Sequence, residues 1–264
     1  MTTLPLLAGD FDLIPAIDMK GGKCVRLEEG NASRMREYGD DPLAMALSWQ
    51  EQGAGRLHLV DLDGAFSGGG PHLHVAAAIF RELQIPVQYG GGLRTIEQIG
   101  RVLDLGARRA IVGTAAITHP EILEEALKRW PGSLAVAIDA REGVVAVRGW
   151  VDQSGVSALE LALRVREIGV ERVIYTDVSR DGMLRGVNVE ETESLARRSG
   201  VRVIASGGVT GVADVRALWE RRQAGIEGVV LGRALYEGRL DFRLIKSQLA
   251  SWQSNAGKED HPVP

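Results

Sequence analysis

Two stretches of this chain echo each other at a fixed offset, and that echo limits the fold more than any other feature. Val201 to Val209 reads VRVIASGGV and Val87 to Leu93 reads VQYGGGL, so Gly91 and Gly207, like Gly92 and Gly208, stand 116 positions apart. Each is an apolar run with no helical period that stops at glycines, the pattern of a buried parallel strand entering a turn. Glycine turns let backbone N–H groups close on an anion. Two further pairs follow the same spacing approximately: Asp18 and Asp139, which end LIPAID and LAVAID, lie 121 apart, and Gly113 and Gly232 lie 119 apart.

Taken in order, the chain alternates strand and helix throughout. Strands are expected at Leu13–Asp18, Leu57–Asp61, Val87–Tyr89, Arg109–Val112, Leu134–Asp139, Arg172–Thr176, Val201–Ser206 and Gly228–Leu231. Helices are expected between them. Thr95 with Gln98, Thr118 with Glu121, Ser157 with Glu160 and Asn188 with Glu191 have the spacing of N-terminal caps. Met19–Asp41 reads as a long polar loop, and Gly143–Trp150 as a small hairpin over the fifth loop. The segment 251–264, poor in apolar residues, reads as a disordered tail. The expectation is an α/β chain, a (βα)8 TIM barrel built from two similar (βα)4 halves, with residues 1–250 as its single domain. A doubly wound open sheet is the alternative. The repeat favours the ring, because two copies related by a twofold axis close on each other, whereas an open sheet gives its halves unlike surroundings.

Composition excludes more than it selects. With 264 residues, 45% hydrophobic, 25% charged and a net charge of −4, the chain has the makings of an ordinary core and no polyanion-binding surplus, so nucleic acid is not an expected partner. Any phosphate must be gripped locally. Cys24 stands alone, and no apolar run approaches the ~20 residues of a membrane span. Leu4–Leu7 is too short for a signal-peptide core and has no basic residue before it. A cytoplasmic monomer with no membrane partner is expected.

In such a barrel the ends of the strands build the active site. Two phosphate cradles are then expected: Gly91 and Gly92 with Gly113 and Thr114, and Ser206, Gly207 and Gly208 with Gly232 and Arg233, each joining a strand-end loop to the start of a short helix. The implied ligand has a phosphate at each end. Any one Gly-Gly could be a plain tight turn, and Arg233 could be a solvated charge. Asp18 and Asp139 face each other across the mouth, as a base and an acid would, although a strand-end Asp can also merely cap the next loop. Thr176 could orient a substrate hydroxyl and Trp150 could cover a flat ring. Equally, Thr176 could be a packed strand former, Trp150 ordinary packing and Arg148 solvated. The five histidines show no metal-ligand spacing, and neither a Walker loop nor a nucleophile elbow is present.

The segments IPAIDMKGGKCVRL, LHLVDLDGAFSG, VQYGGGLRT, IVGTAA, VAIDA with VRGW, YTDVSRDGMLRG, ASGGV and VVLGRALYEG together resemble the phosphoribosylformimino-aminoimidazole-carboxamide ribotide isomerase family of histidine biosynthesis, from about Leu13 to Phe242. The resemblance implies an Amadori rearrangement of an aminoaldose to an aminoketose on a bisphosphorylated ribonucleotide, with no metal or organic cofactor. It implies Asp18 as general base, Asp139 as general acid, Thr176 as a supporting residue, and Arg26, Arg94, Trp150 and Asp181 as substrate contacts. Phe66, His74 and Met183 depart from that family's commoner Lys, Asn and Thr, in loops or at helix starts. Related barrels leave alternatives open. The VRGW segment and Tyr175-Thr176-Asp177 look unlike the cyclase that follows in the pathway, whereas bifunctional relatives that also isomerise phosphoribosylanthranilate share these motifs. A non-catalytic sensor of phosphate ligands is the reading from another class.

Overall fold

The computed structural model describes residues 11–28, 31–147, 149–150 and 152–259. Arg148 and the segment 260–264 therefore lie outside the described residues. Eight parallel strands form a closed barrel: β1 (Asp12–Lys20), β2 (Leu57–Asp61), β3 (Val87–Gly90), β4 (Arg109–Val112), β5 (Leu134–Arg141), β6 (Arg172–Asp177), β7 (Arg202–Ser206) and β8 (Ile226–Leu231). The ring is closed by β8 pairing with β1, Ile14 opposite Val230, and by β6 pairing with β5, Thr176 opposite Asp139. The helices α1 (Pro42–Glu51), α2 (Leu73–Glu82), α3 (Ile96–Asp104), α4 (Glu121–Arg129), α5 (Ala158–Ile168), α6 (Val189–Ser199), α7 (Val212–Glu220) and α8 (Phe242–Glu259) follow the strands in turn.

Strand alternation sorts the side chains into two cores. Outward-facing residues such as Leu13, Ile17, Leu59, Tyr89, Val136 and Val203 are buried against the helices. Inward, Ile14, Ala16, Ile111, Ile174, Ile204 and Val230 form a separate cluster inside the ring. Two positions further along β1 and β5 the inward residues are Asp18 and Asp139, so the period of two carries each carboxylate to the C-terminal mouth. At the opposite end the inward layer is ionic: Arg56 pairs with Asp12 at 3.0 Å and Arg172 with Glu227 at 2.9 Å.

Four segments differ from the sequence reading. The polar loop Met19–Asp41 is largely strand, because β1 runs on to Lys20, turns through Gly21 and Gly22 at positive φ, and pairs with an arm at Lys23–Glu28 and Asn31–Gly39. Cys24, Val25 and Leu27 are buried on this arm, whose register shifts between Cys24 and Val25, so no clean alternation marks it in the sequence. After β5 the expected hairpin is present but longer than Gly143–Trp150: its strands, Val144–Val147 and Asp152–Ser157, pair antiparallel with each other. Thr118 does not cap α4; its hydroxyl donates to the Thr114 carbonyl, and Pro120 holds the cap position. Thr95, Ser157 and Asn188 do cap their helices. Finally, the expected tail from 251 is corrected for 251–259, which continue α8. Trp252 anchors that turn against Trp219, ring centroids 5.5 Å apart, a contact invisible to a reading based on the segment's polar average.

Candidate active site

The two halves build their strand-end loops in the same way. Asp61 ends β2 and Asp177 ends β6, 116 positions apart. Asp61 accepts from the backbone of Gly64 and His72, and Asp177 from the backbone of Ser179 and the amide of Asn188. His72 and Asn188, again 116 apart, are the N-cap positions of α2 and α6. These carboxylates are fasteners that lock the loop after each strand to the helix that follows.

The glycine turns sit on those fasteners. A side chain at Gly91 or Gly92 would run into the Asp61 and Gly64 carbonyls, and one at Gly208 would meet the Gly186 carbonyl at 2.5 Å. All four turn glycines, Gly91, Gly92, Gly207 and Gly208, have positive φ. Tight backbone packing is therefore reason enough for glycine here, whatever the turns also bind. By contrast, a side chain at Gly113 would meet nothing within 4 Å.

Every residue given a catalytic, phosphate-binding or substrate-binding role in the sequence lines one of two adjoining cavities at this mouth, whereas His74 and Met183 line neither. A cavity of about 220 Å³ is bordered by Asp18, Arg26, Gly91, Gly92, Arg94, Gly113, Thr114, Asp139, Trp150, Thr176, Asp181 and Ser206. A smaller one of about 40 Å³ is bordered by Gly207, Gly208, Gly232 and Arg233, and shares Arg26, Asp181 and Ser206 with the first. Arg26 stands between them.

The two strand-end carboxylates have unlike partners. Arg26 donates to Asp18 at 2.6 Å and to the Ala16 carbonyl at 2.7 Å, and its guanidinium lies 5.4 Å from the centre of the Tyr236 ring. Burial pushes the Asp18 carboxyl up, and the Arg26 charge opposes that push. Asp139 is likewise pushed up by burial, opposed only by neutral hydrogen bonds from Trp150 and Thr176. Asp181 is pushed up to about 7 by burial, against the pull of Arg26 and with the repulsion of Asp18 and Asp139 added. Asp18 and Asp181 thus share one guanidinium, with the Asp139 charge beside them, an arrangement in which like charges spread the proton affinities.

Several of these cavity side chains also have partners within the protein. Trp150 is bonded to Asp139, and it adopts φ +71, rare for a bulky residue, beside Gly149, whose open face is filled by the Phe66 ring. Arg94 reaches back to the Ala65 carbonyl at 3.1 Å. The Arg233 side chain bonds Glu237 at 2.6 Å and also the Gly182 carbonyl, so it ties the loop after β6 to the segment after β8. The histidine pattern also hid a cluster, for His72 lies against Asp61 and Asp63. There Asp63 accepts from Gly21 at 2.7 Å and from the His72 ring at 2.7 Å, which ties the β1 turn to the start of α2. Sequence reasoning missed His58, an inward residue of β2 that forms part of the cavity floor.

A closed (βα)8 barrel with perturbed carboxylates gathered in the cavity at its strand C-termini has the architecture of a barrel enzyme. More particularly, the chain belongs to the histidine biosynthesis protein family, which it matches over residues 12–241. It is 48% identical over 232 residues to the 1-(5-phosphoribosyl)-5-((5-phosphoribosylamino)methylideneamino) imidazole-4-carboxamide isomerase of Hahella chejuensis, covering 88% of this chain and 95% of that one. Proteins of the same name from Chlorobium phaeovibrioides and Roseiflexus castenholzii are each 48% identical, covering 85% and 88% of this chain and 88% and 97% of theirs. No helix among the described residues is long and apolar enough to cross a membrane.

Proposed function

We propose that this chain is an aldose–ketose isomerase that carries out an Amadori rearrangement on the histidine-pathway aminoaldose, a ribonucleotide with a phosphate at each end. The observation that carries this reading is the pair of buried strand-end carboxylates, Asp18 and Asp139, facing one cavity with different partners. Asp139, with no cation beside it, is the better proton donor: it protonates the ribose ring oxygen, and the ring C–O bond breaks to leave a Schiff base. Asp18, whose ionised form Arg26 favours, takes the proton from the adjacent carbon, and the resulting enamine becomes the ketose. Thr176 and Trp150 hold Asp139 in place.

The glycine turns of each half hold one phosphate, at Gly91, Gly92, Gly113 and Thr114 on one side and at Ser206, Gly207, Gly208 and Gly232 on the other. Arg233 contributes by positioning the second loop. Arg26, between the cavities, is suited to grip substrate as well as Asp18. The protein works as a cytoplasmic monomer.

Turnover of the histidine-pathway aminoaldose by purified protein, followed by its absorbance change, tests the reading beside phosphoribosylanthranilate as a second substrate. Turnover of the first alone fits the proposal, turnover of both makes the enzyme bifunctional, and tight binding without turnover of either would leave a sensor.

A further inference from the structure

The floor of the larger cavity is lined by Ala16, Ile111, Ala137, Ile174 and Val230, with one polar side chain among them, His58. His58 is paired in register with Ala16, one inward position below the level of Asp18. Its Nδ1 lies 2.8 Å from the Gln88 amide nitrogen, and Gln88 Oε1 lies 2.9 Å from Arg109. Both Gln88 and Arg109 are buried inside the ring.

The direction of every hydrogen bond in this chain of three follows from Arg109. A guanidinium only donates, so Gln88 must turn its carbonyl oxygen toward it. The Gln88 amide nitrogen then faces His58 and donates to Nδ1. Neutral imidazole carries one proton, which is left on Nε2. Among the described residues nothing is bonded to Nε2. Burial, with Arg26 adding to it, pushes the His58 imidazolium down to about 3, so the ring is neutral at any working pH. The charged and titratable groups facing it are Arg26, Asp18, Asp139 and Asp181 across the cavity and Arg109 behind Gln88.

We infer that His58 is a fixed, neutral hydrogen-bond donor whose Nε2–H points into the cavity and holds an oxygen of the reacting sugar between Asp18 and Asp139, with Gln88 and Arg109 as the positioning residues that set its tautomer. The inference rests on the isomerase reading for the identity of the acceptor. A neutral imidazole N–H suits the hydroxyl oxygen on the carbon that loses its proton: it holds that C–H toward Asp18 without competing for the proton, while the electron pair passes to the Schiff-base nitrogen, and it donates to the same oxygen as the enamine becomes the ketose.

Two measurements test it. In ligand-free protein labelled with ¹⁵N-histidine, the His58 signals should show a bare Nδ1 and a protonated Nε2, unchanged from pH 5 to 9; the opposite tautomer, or titration in that range, overturns the inference. In kinetics, His58→Leu should lower kcat by roughly tenfold or more, the value of one lost hydrogen bond at the transition state, with KM little changed. His58→Gln, which can place an amide donor near the Nε2 position, should restore most of the rate. Gln88→Glu, which can accept from both neighbours but donate to neither, should move the proton to Nδ1 and lower kcat without lowering the melting temperature. Full activity in His58→Leu or in Gln88→Glu overturns the inference, as does a His58→Gln as slow as a folded His58→Leu. Absence of turnover by the unaltered enzyme would sink the isomerase reading instead, and the acceptor assignment with it, while the NMR result would still decide the tautomer.

Discussion

The first and second halves of this barrel share their scaffolding and differ in their charges. Asp61 and Asp177 fasten equivalent loops, and His72 and Asn188 start equivalent helices. Asp18 and Asp139 sit at equivalent places two residues before the ends of β1 and β5, yet one is paired with a guanidinium and the other with an indole and a hydroxyl. The cause is an insertion unique to each half: the arm at Lys23–Glu28 delivers Arg26, while the excursion after β5 delivers Trp150. Duplicating a half-barrel gives two like carboxylates, and chemistry that needs a base and an acid requires them to be made unlike. The insertions make that difference by pairing onto the ends of β1 and β5, leaving the parallel ring itself intact.

The largest test of this contrast removes the charges themselves. Asp18→Asn and Asp139→Asn should each lower kcat/KM by roughly 10²–10⁴-fold, the usual size of a general acid–base contribution. Unchanged rates in both would abolish the catalytic reading of either half.

Next in size is the glycine packing. Gly92→Ala, with positive φ and the Gly64 carbonyl in the way, should destabilise the fold by several kcal/mol in chemical denaturation. Gly113→Ala has open space and should leave stability within about 0.5 kcal/mol. If Gly113 holds a phosphate, substrate KM should rise in that variant; an unaltered KM would assign the first cradle to architecture alone.

Asp181 offers a pH test. Its carboxyl holds a proton up to about 7 in the folded state but only to about 3.8 at its ordinary value, so the folded form binds more protons between those pH values and loses stability as pH rises through them. Asp181→Asn should therefore melt higher than the parent at pH 8, by an amount on the order of a few kcal/mol, and the gap should close toward pH 4. A gap independent of pH would remove Asp181 from the shared carboxylate cluster.

The smallest effect isolates the guanidinium. Arg26→Met should shift the acid limb of the kcat/KM profile upward by about one pH unit or more, since a base that loses its cation holds its proton longer. The same change at the opposite site, Trp150→Phe, removes only a neutral bond and should move the profile less. Equal shifts would mean that the halves are not electrostatically distinct.

Much of this was written in the residues themselves. Apolar runs ending in Asp or Gly specified eight buried strands, and their repetition specified a ring of two halves, because period and spacing are local properties of a chain. The catalytic candidates were legible for the same reason: Asp18 and Asp139 are strand ends, and strand ends share one face. Tertiary structure decided what each polar group meets. Nothing in the spacing says that Arg26 folds back onto Asp18, that Trp150 bonds Asp139 rather than only covering a ring, or that Arg233 is spent on Glu237. The arm at Lys23–Glu28 and the last turns of α8 were likewise decided by contacts with distant partners, β1 for one and Trp219 for the other. His58 shows the division most clearly. Its inward position follows from strand alternation, but its charge and the direction of its proton depend on Gln88 and Arg109, which lie beside it only once the barrel has formed.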